Sequence, residues 1–338
     1  MKKIVSVMLL LFLMGCASDE VRRDRFFLQG NNALQNGELN DAVDFYTKAL
    51  TIDPKFARAY NNRGVAYIED DHPYEAIQDY NQAIALDEDY YDAIFNRAFA
   101  YEQIGKYDDA LADLNQVKQQ YPDSAYVYFY QGLLETHMRS YDAAKESFKM
   151  AIGMNPSNEE AKVNLATLYY FQDSLSMAMD QLKEIVKNNP TQSSALNTLS
   201  QVYLAAGDYQ NALITINQAL KIEPSEPYFL NNRGQVYLEM QSYDLALKDI
   251  NRSILLDPKN SWAYRNKGLY FLAQKQYDDA IRLFEKALAG NEFLDEIYVP
   301  FGQAMLMSGK PDMACELWQQ GVKNHEKSAQ SLLEQHCN

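Results

Sequence analysis

The chain has 338 residues, 47% of them apolar and 23% charged: too polar for an integral membrane protein and too long for one hydrophobic core, so several domains or a repeat array are expected. Its formal charge of -15 argues against a nucleic-acid partner, whose phosphates draw clusters of Lys and Arg. Three cysteines and four histidines leave little material for metal or thiol chemistry.

The chain opens with Lys2-Lys3, continues as an apolar run from Ile4 to Met14 broken by Ser6, and reaches Gly15-Cys16. These are the parts of a secretory signal, with a run shorter than the about 20 apolar residues that cross a bilayer. Leu13-Met14-Gly15-Cys16 resembles the lipobox of bacterial lipoproteins. The resemblance implies that residues 1–15 are a signal peptide, that Cys16 is the lipid-bearing first residue of the mature chain, and that residues 16–22 are a short tether. The alternative is an ordinary signal with an incidental cysteine. No aspartate follows Cys16, which by the same resemblance implies the outer membrane, and Ser18-Asp19-Glu20 resembles the surface-export tag of some Bacteroidetes lipoproteins. The periplasmic and the surface faces both stay open. A fully extended tether reaches about 25 Å, so the array sits near the membrane, where Arg22, Arg23 and Arg25 meet headgroups or water.

From Arg23 to Ser328 a 34-residue period runs without insertion through nine blocks: 23–56, 57–90, 91–124, 125–158, 159–192, 193–226, 227–260, 261–294 and 295–328. The eighth slot reads Gly30, Gly64, Ala98, Gly132, Ala166, Ser200, Gly234, Gly268 and Gly302, and the twentieth is alanine in every block. Proline closes six blocks, at Pro54, Pro122, Pro156, Pro190, Pro224 and Pro258. Apolar or small residues at slots four, seven, eight and eleven, such as Leu196, Leu199, Ser200 and Tyr203, make one face of a first helix. A second helix carries the stripe Tyr209, Ala212, Ile216 and Ala219, and Gly105, Gly207 or Gly309 marks the turn between the two. The small residues are expected where the helices cross, and proline ends the second helix. Asp108-Asp109, Asp142, Asp244 and Asp278-Asp279 begin second helices, where carboxylates cap N–H groups and meet the positive dipole end.

This pattern resembles the tetratricopeptide (TPR) repeat. The resemblance implies an all-α TPR solenoid of nine helix-turn-helix repeats wound into a right-handed superhelix with no internal domain boundary. Residues 329–338, with Leu332 and Leu333, are expected to form a capping helix. Pro300 falls in the first turn or two of its helix, so a shifted start and no missing repeat are expected there.

In that family, slots two, five, six, nine, twelve and thirteen of the first helix line a concave groove. Slot six carries Asn62, Asn96, Asn164, Asn232 and Asn266, resembling the peptide-gripping asparagine ladder in the superhelix of O-GlcNAc transferase. An amide both donates and accepts, so it can pair with any peptide group; a family habit at this slot is the alternative. The stripe is aromatic in the third to fifth blocks, with Phe95, Phe99, Tyr126, Phe129, Tyr170 and Phe171, and Tyr228 and Trp262 continue it. Such rings are candidate binding anchors, some of them expected to pack between repeats instead. The family's carboxylate clamp is not matched: Asn31 and Asn62 fall on its asparagines, but Phe27, Asp92 and Asn96 take the cationic positions. A neutral or basic extended segment suits so acidic a chain.

Cys315 and Cys337 are candidates for a disulfide, which an oxidising compartment permits and which would pin the cap. His325 and His336 lie near them, but Cys-x9-His-x10-His-Cys matches no common zinc pattern. No phosphate loop, nucleophile elbow or HExxH helix is present. The expected function is therefore a non-enzymatic, cofactor-free, lipid-anchored adaptor whose groove binds protein or extended peptide, with no small-molecule substrate, and which assembles or regulates an envelope complex. It resembles lipoproteins that assist pilus or secretin assembly or dock cell-wall hydrolases. Two other readings are a self-associating structural lipoprotein and a small zinc enzyme built around the tail.

Overall fold

The computed structural model describes residues 18–290 and 294–337, so Cys16 and the signal segment lie outside the described residues. Within them the chain is all helix and turn, with nineteen α-helices. The chain divides into two compact units, Met1–Ala161 and Lys162–Asn338.

In the first unit α1 (Asp19–Gln35) packs on α2 (Leu39–Ile52), α3 (Ala57–Glu69) on α4 (Pro73–Leu86), α5 (Tyr91–Gln103) on α6 (Tyr107–Gln120) and α7 (Ala125–His137) on α8 (Tyr141–Met154). Helix α9 (Glu159–Phe171) runs across the division, and its Val163 and Ala166 share a core with Ala178 and Leu182 of α10 (Leu175–Asn188). In the second unit α11 (Ser193–Ala205) then packs on α12 (Tyr209–Ile222), α13 (Pro227–Glu239) on α14 (Tyr243–Leu256), α15 (Ser261–Ala273) on α16 (Tyr277–Gly290) and α17 (Tyr298–Met307) on α18 (Pro311–Lys323). The final helix, α19 (Ala329–His336), lies on α18.

The repeat is held by three recurrent contacts. All nine slot-twenty alanines are at most 1% exposed, which lets the helices of a pair approach closely. Slot eight faces slot twenty-four, and the sizes compensate: Gly30, Gly64, Gly132, Gly234, Gly268 and Gly302 lie against Tyr46, Tyr80, Phe148, Ile250, Phe284 and Trp318. Where slot eight is Ala98, Ala166 or Ser200, slot twenty-four is the aliphatic Leu114, Leu182 or Ile216, and among the glycine crossings Gly234 alone meets an aliphatic side chain, Ile250. Thirdly, each hairpin turns on a residue with positive φ at slot fifteen, glycine in Gly37, Gly105, Gly207 and Gly309 but Asp71, Arg139, Asp173, Gln241 and Lys275 elsewhere. Each turn closes with the same backbone bond, such as Glu38 N–H to the Ala33 carbonyl at 2.9 Å and Lys310 N–H to Met305 at 2.9 Å, which is the Schellman ending of a helix.

Three expectations are corrected. The tether does not extend to residue 22, because Ser18 caps α1 by accepting the Val21 N–H at 3.3 Å, and Asp19 and Glu20 occupy its positive first turn. Arg23, expected to meet headgroups or water, instead donates to Asp53 at 2.9 Å and lies 4.6 Å over the Phe56 ring. The aspartates that begin second helices do not cap: Lys106, Ser140 and Ser242 hold the cap positions of α6, α8 and α14 without a side-chain bond, and Asp108-Asp109, Asp142 and Asp244 sit in the first turn beyond them. Their contribution there is charge against the dipole.

Helix α17 starts at Tyr298, so the shift expected at Pro300 is a delay relative to its counterparts in the other blocks. The backbone N–H groups of Ile297, Tyr298 and Val299 all donate to the Glu326 carboxylate, at 2.8, 2.9 and 2.8 Å. A carboxylate from beyond α18 thus supplies the cap that this helix lacks.

Candidate peptide-binding site

Four of the slot-six asparagines bond the preceding repeat. Asn96 donates to Asn61 at 3.0 Å, Asn232 to Asn197 at 2.8 Å and Asn266 to Asn231 at 2.9 Å, each reaching slot five of the hairpin before. Asn62 donates to Asn31 at 2.9 Å, and Asn31 also accepts the Tyr46 hydroxyl at 2.9 Å. Asn266 is fully buried and its carbonyl oxygen accepts from Arg265 at 2.9 Å, so it is withdrawn from any ligand. Asn164 is half-buried and engaged within the fold. The ladder therefore sets the spacing of successive repeats, since an amide bonded to an amide fixes both.

A second ladder was not anticipated. Slot seven, expected to be apolar, carries Arg63, Arg97 and Arg233, each forked onto an aspartate sixteen residues on: Arg97 binds Asp113 at 2.8 and 2.7 Å, and Arg63 and Arg233 bind Asp79 and Asp249 alike. Their third donor crosses to the preceding repeat, onto Thr47, Asn81 and Asn217 at 2.8, 2.7 and 2.8 Å. The bonds to Asp113 hold the Arg97 guanidinium above its ordinary range. The thrice-repeated Arg-x15-Asp spacing was the available signal.

The aromatic stripe splits into core and surface. Phe129 is buried at 7% exposure and packs on Phe148 with ring centroids 5.9 Å apart, so it is a core residue and no groove anchor. Phe95 and Phe99 are half-buried, and Tyr126 is 59% exposed. They meet on a ring that the reading of the stripe passed over, Tyr130: its centroid lies 5.2 Å from Phe95, 5.9 Å from Phe99 and 5.9 Å from Tyr126, and Phe95 lies 5.2 Å from Tyr126. Tyr130 occupies slot six, where other repeats place asparagine. Burial pushes its phenol above the usual range, with the Glu102 carboxylate adding to the shift. Beside this cluster lies a recess of about 400 Å³ whose wall includes Tyr91, Asp92, Phe95, Asn96, Tyr121 and Tyr126, with no lysine or arginine.

In the second unit the stripe turns to internal contacts. Tyr170, whose phenol is pushed up to about 12 by burial and by the nearby Glu296 carboxylate, lies beside Arg265. Arg265 is 4% exposed and donates to the Glu296 backbone carbonyl at 3.2 Å and its carboxylate at 3.4 Å, while burial pushes its guanidinium down. Lys327 pairs with Asp173 at 3.0 Å, so the fifth repeat is tied to the chain before α19. Phe171 and Tyr228 are 45% and 48% exposed. Cys315 and Cys337 are joined by a disulfide with Cα atoms 5.8 Å apart, which leaves neither thiolate for a metal.

Models of the tetratricopeptide repeat match residues 30–70, 57–90, 92–124, 137–202, 193–226 and 228–292. No curated protein matches the chain. Among solved structures, it is similar to a tetratricopeptide repeat protein from Parabacteroides merdae ATCC 43184, at 17% identity and TM-score 0.68 over 74% of this chain and 99% of that one. It is also similar to the Cut9-Hcn1 hetero-tetramer of the APC/C, at 16% identity and TM-score 0.60, covering 87% of this chain and 58% of that one. A third is pilF of Pseudomonas aeruginosa, at 22% identity and TM-score 0.53, covering 67% of this chain and 99% of that one. At such identities the likeness is one of fold. With repeat models along most of its length and helix pairs stacked at the matching period, the chain belongs to the tetratricopeptide repeat family.

Proposed function

We propose that the protein is a non-enzymatic adaptor that holds a segment of a partner protein in the recess between its third and fourth repeats. The fold is a protein-interaction scaffold, and the observation that carries the finer reading is Tyr126: a large ring left 59% exposed on a cluster of three others, at the wall of a recess. Aromatic anchors clustered at a concavity supply most of the energy of a docked segment. The asparagine and arginine ladders, by contrast, are occupied in joining repeats.

The adaptor is proposed to work from the outer membrane, lipidated at Cys16, in assembling or regulating an envelope complex. What supports this is the lipobox Leu13-Met14-Gly15-Cys16 and an α1 that begins at Asp19, close behind it. Loss of incorporated labelled fatty acid in Cys16→Ser, with retention in the parent, is the expected outcome; equal labelling of both would remove the anchor.

Docking is tested by placing a photo-crosslinking phenylalanine at position 126 and, separately, at Met150, which is 45% exposed on α8 of the same repeat. In intact cells, discrete adducts are expected from position 126 and not from 150. No adducts at 126, or the same adducts from both, would sink the reading.

A further inference from the structure

Four features of the recess define what chemistry it accepts. Tyr126 packs on Phe95, with centroids 5.2 Å apart and planes tilted by 33°, and on Tyr130 at 5.9 Å, while most of the residue stays exposed. Asp92 is exposed on the same wall, one helical turn before Phe95 and Asn96, and makes no hydrogen bond or ion pair among the described residues. Of the neighbouring cations, Arg97 is bound to Asp113 and Asn81 and Lys118 to Gln131 at 2.9 Å, while Arg58, off the wall of the recess, lies over the Phe27 ring at 5.2 Å and shares the surroundings of Tyr90 with Asp92. Finally, the other polar groups on the wall, Asn61, Asn96, Tyr91 and Tyr121, carry no formal charge, so Asp92 sets the sign of the field there.

An exposed ring face beside an unpaired carboxylate is the recognition chemistry of a planar cation, which stacks on the ring while its N–H fork meets the carboxylate. Resting on the docking reading above, we infer that the recess takes the guanidinium of an arginine in the bound segment, stacked on Tyr126 and paired to Asp92. The backbone of that segment lies beside Asn96, and Tyr121 and Val117 flank the side-chain stem. The partner is thus a segment bearing an exposed arginine, and acidic segments are rejected by the same carboxylate.

The probes are N-acetyl-arginine methylamide and its neutral isostere N-acetyl-citrulline methylamide, titrated into the purified full chain labelled with 3-fluorotyrosine, the Tyr126 resonance being assigned by Y126F. The arginine probe is expected to shift Tyr126 saturably and the citrulline probe to bind at least about three-fold more weakly, as a cation over an exposed ring predicts. D92N should erase that difference. E285Q, an equal change of charge at an exposed position on α16, should preserve it. Equal titrations with both probes, no shift of Tyr126 with arginine, or an E285Q effect matching D92N would each overturn the assignment. Crosslinking from position 126 is blind to charge, so adducts in cells together with equal titrations would overturn the arginine and leave the docking reading standing.

Discussion

A β-carbon built on Gly132 would fall 2.7 Å from Cε1 of Phe148, a ring with no exposed surface and nowhere to swing. Most crossings of the array set glycine under a ring or alanine under leucine, as at Ala98 and Leu114, while Gly234 lies under Ile250. Gly132→Ala should therefore cost about 1–3 kcal/mol by overpacking. Adding Phe148→Leu should recover most of that loss, although Phe148→Leu alone destabilises. Urea denaturation of the four chains reads the coupling; additive effects would mean that the two residues do not share the crossing.

The hairpin turns suggest the opposite manipulation. Gln241 holds φ at 57° in an exposed turn where Gly207 and Gly309 hold 76° and 84° in theirs. A side chain strains that conformation, so Gln241→Gly should raise stability by roughly 0.5–1 kcal/mol, although glycine in a helix interior does the reverse. Gly309→Ala should lower it by a similar amount. A higher urea midpoint for the first variant and a lower one for the second is the expected result.

The period, both small slots and the turn were all legible, because each is a local consequence of helix geometry repeated nine times, and Pro300 marked a shifted start for α17. What was not legible is which neighbour a side chain meets. Slots five and six are about 100° apart on a helix, and at that resolution Phe95 and Phe129, both at slot five, look alike. Yet one lines a recess and the other fills a core. Asn266 likewise carries the same slot as Asn62, but Arg265 beside it seals it from solvent. The contacts of Tyr170 with Glu296 and of Asp173 with Lys327 join residues more than a hundred positions apart, and no periodic pattern encodes them.

The Arg97–Asp113 pair is largely out of solvent, its side chains 18% and 9% exposed. Breaking one partner strands the other, so Arg97→Met should cost about 3–5 kcal/mol. Replacing both, as Arg97→Met with Asp113→Leu, should cost much less, because the fork does chiefly the work of satisfying its own charges. The bond to Asn81 is lost in both variants and sets the residual deficit. Thermal melts that fell equally for the single and the double variant would transfer the importance from the pair to that inter-repeat bond.

The Cys315–Cys337 bond closes a loop of 22 residues around the last turn of the array. Loops of that size lose roughly 3 kcal/mol of unfolded-state freedom when bridged. Reduction should therefore loosen α19 selectively: hydrogen exchange over 329–336 should accelerate, while α3 to α8 in the other unit keep their protection. The indole of Trp318, 5.5 Å from the His336 ring, reports the same event by fluorescence. Unchanged exchange after reduction would show that apolar packing of Leu332 and Leu333 holds the cap without the bridge.

Glu102 stands behind Tyr130 with its side chain 19% exposed, 3.4 Å from His137, and burial pushes its carboxyl above the usual range. The folded state then binds a proton more tightly than the unfolded chain. The stabilisation this gives is complete below the unfolded carboxylate value of about 4.3 and is lost as pH rises through the folded value. Glu102→Gln keeps the shape and removes the titration. Parent and variant should melt together near pH 4, and the variant should melt higher near pH 7.5, the gap opening across the interval between. A gap of equal size at both pH values would mean that the substitution acts through packing on Tyr130 and not through the buried charge.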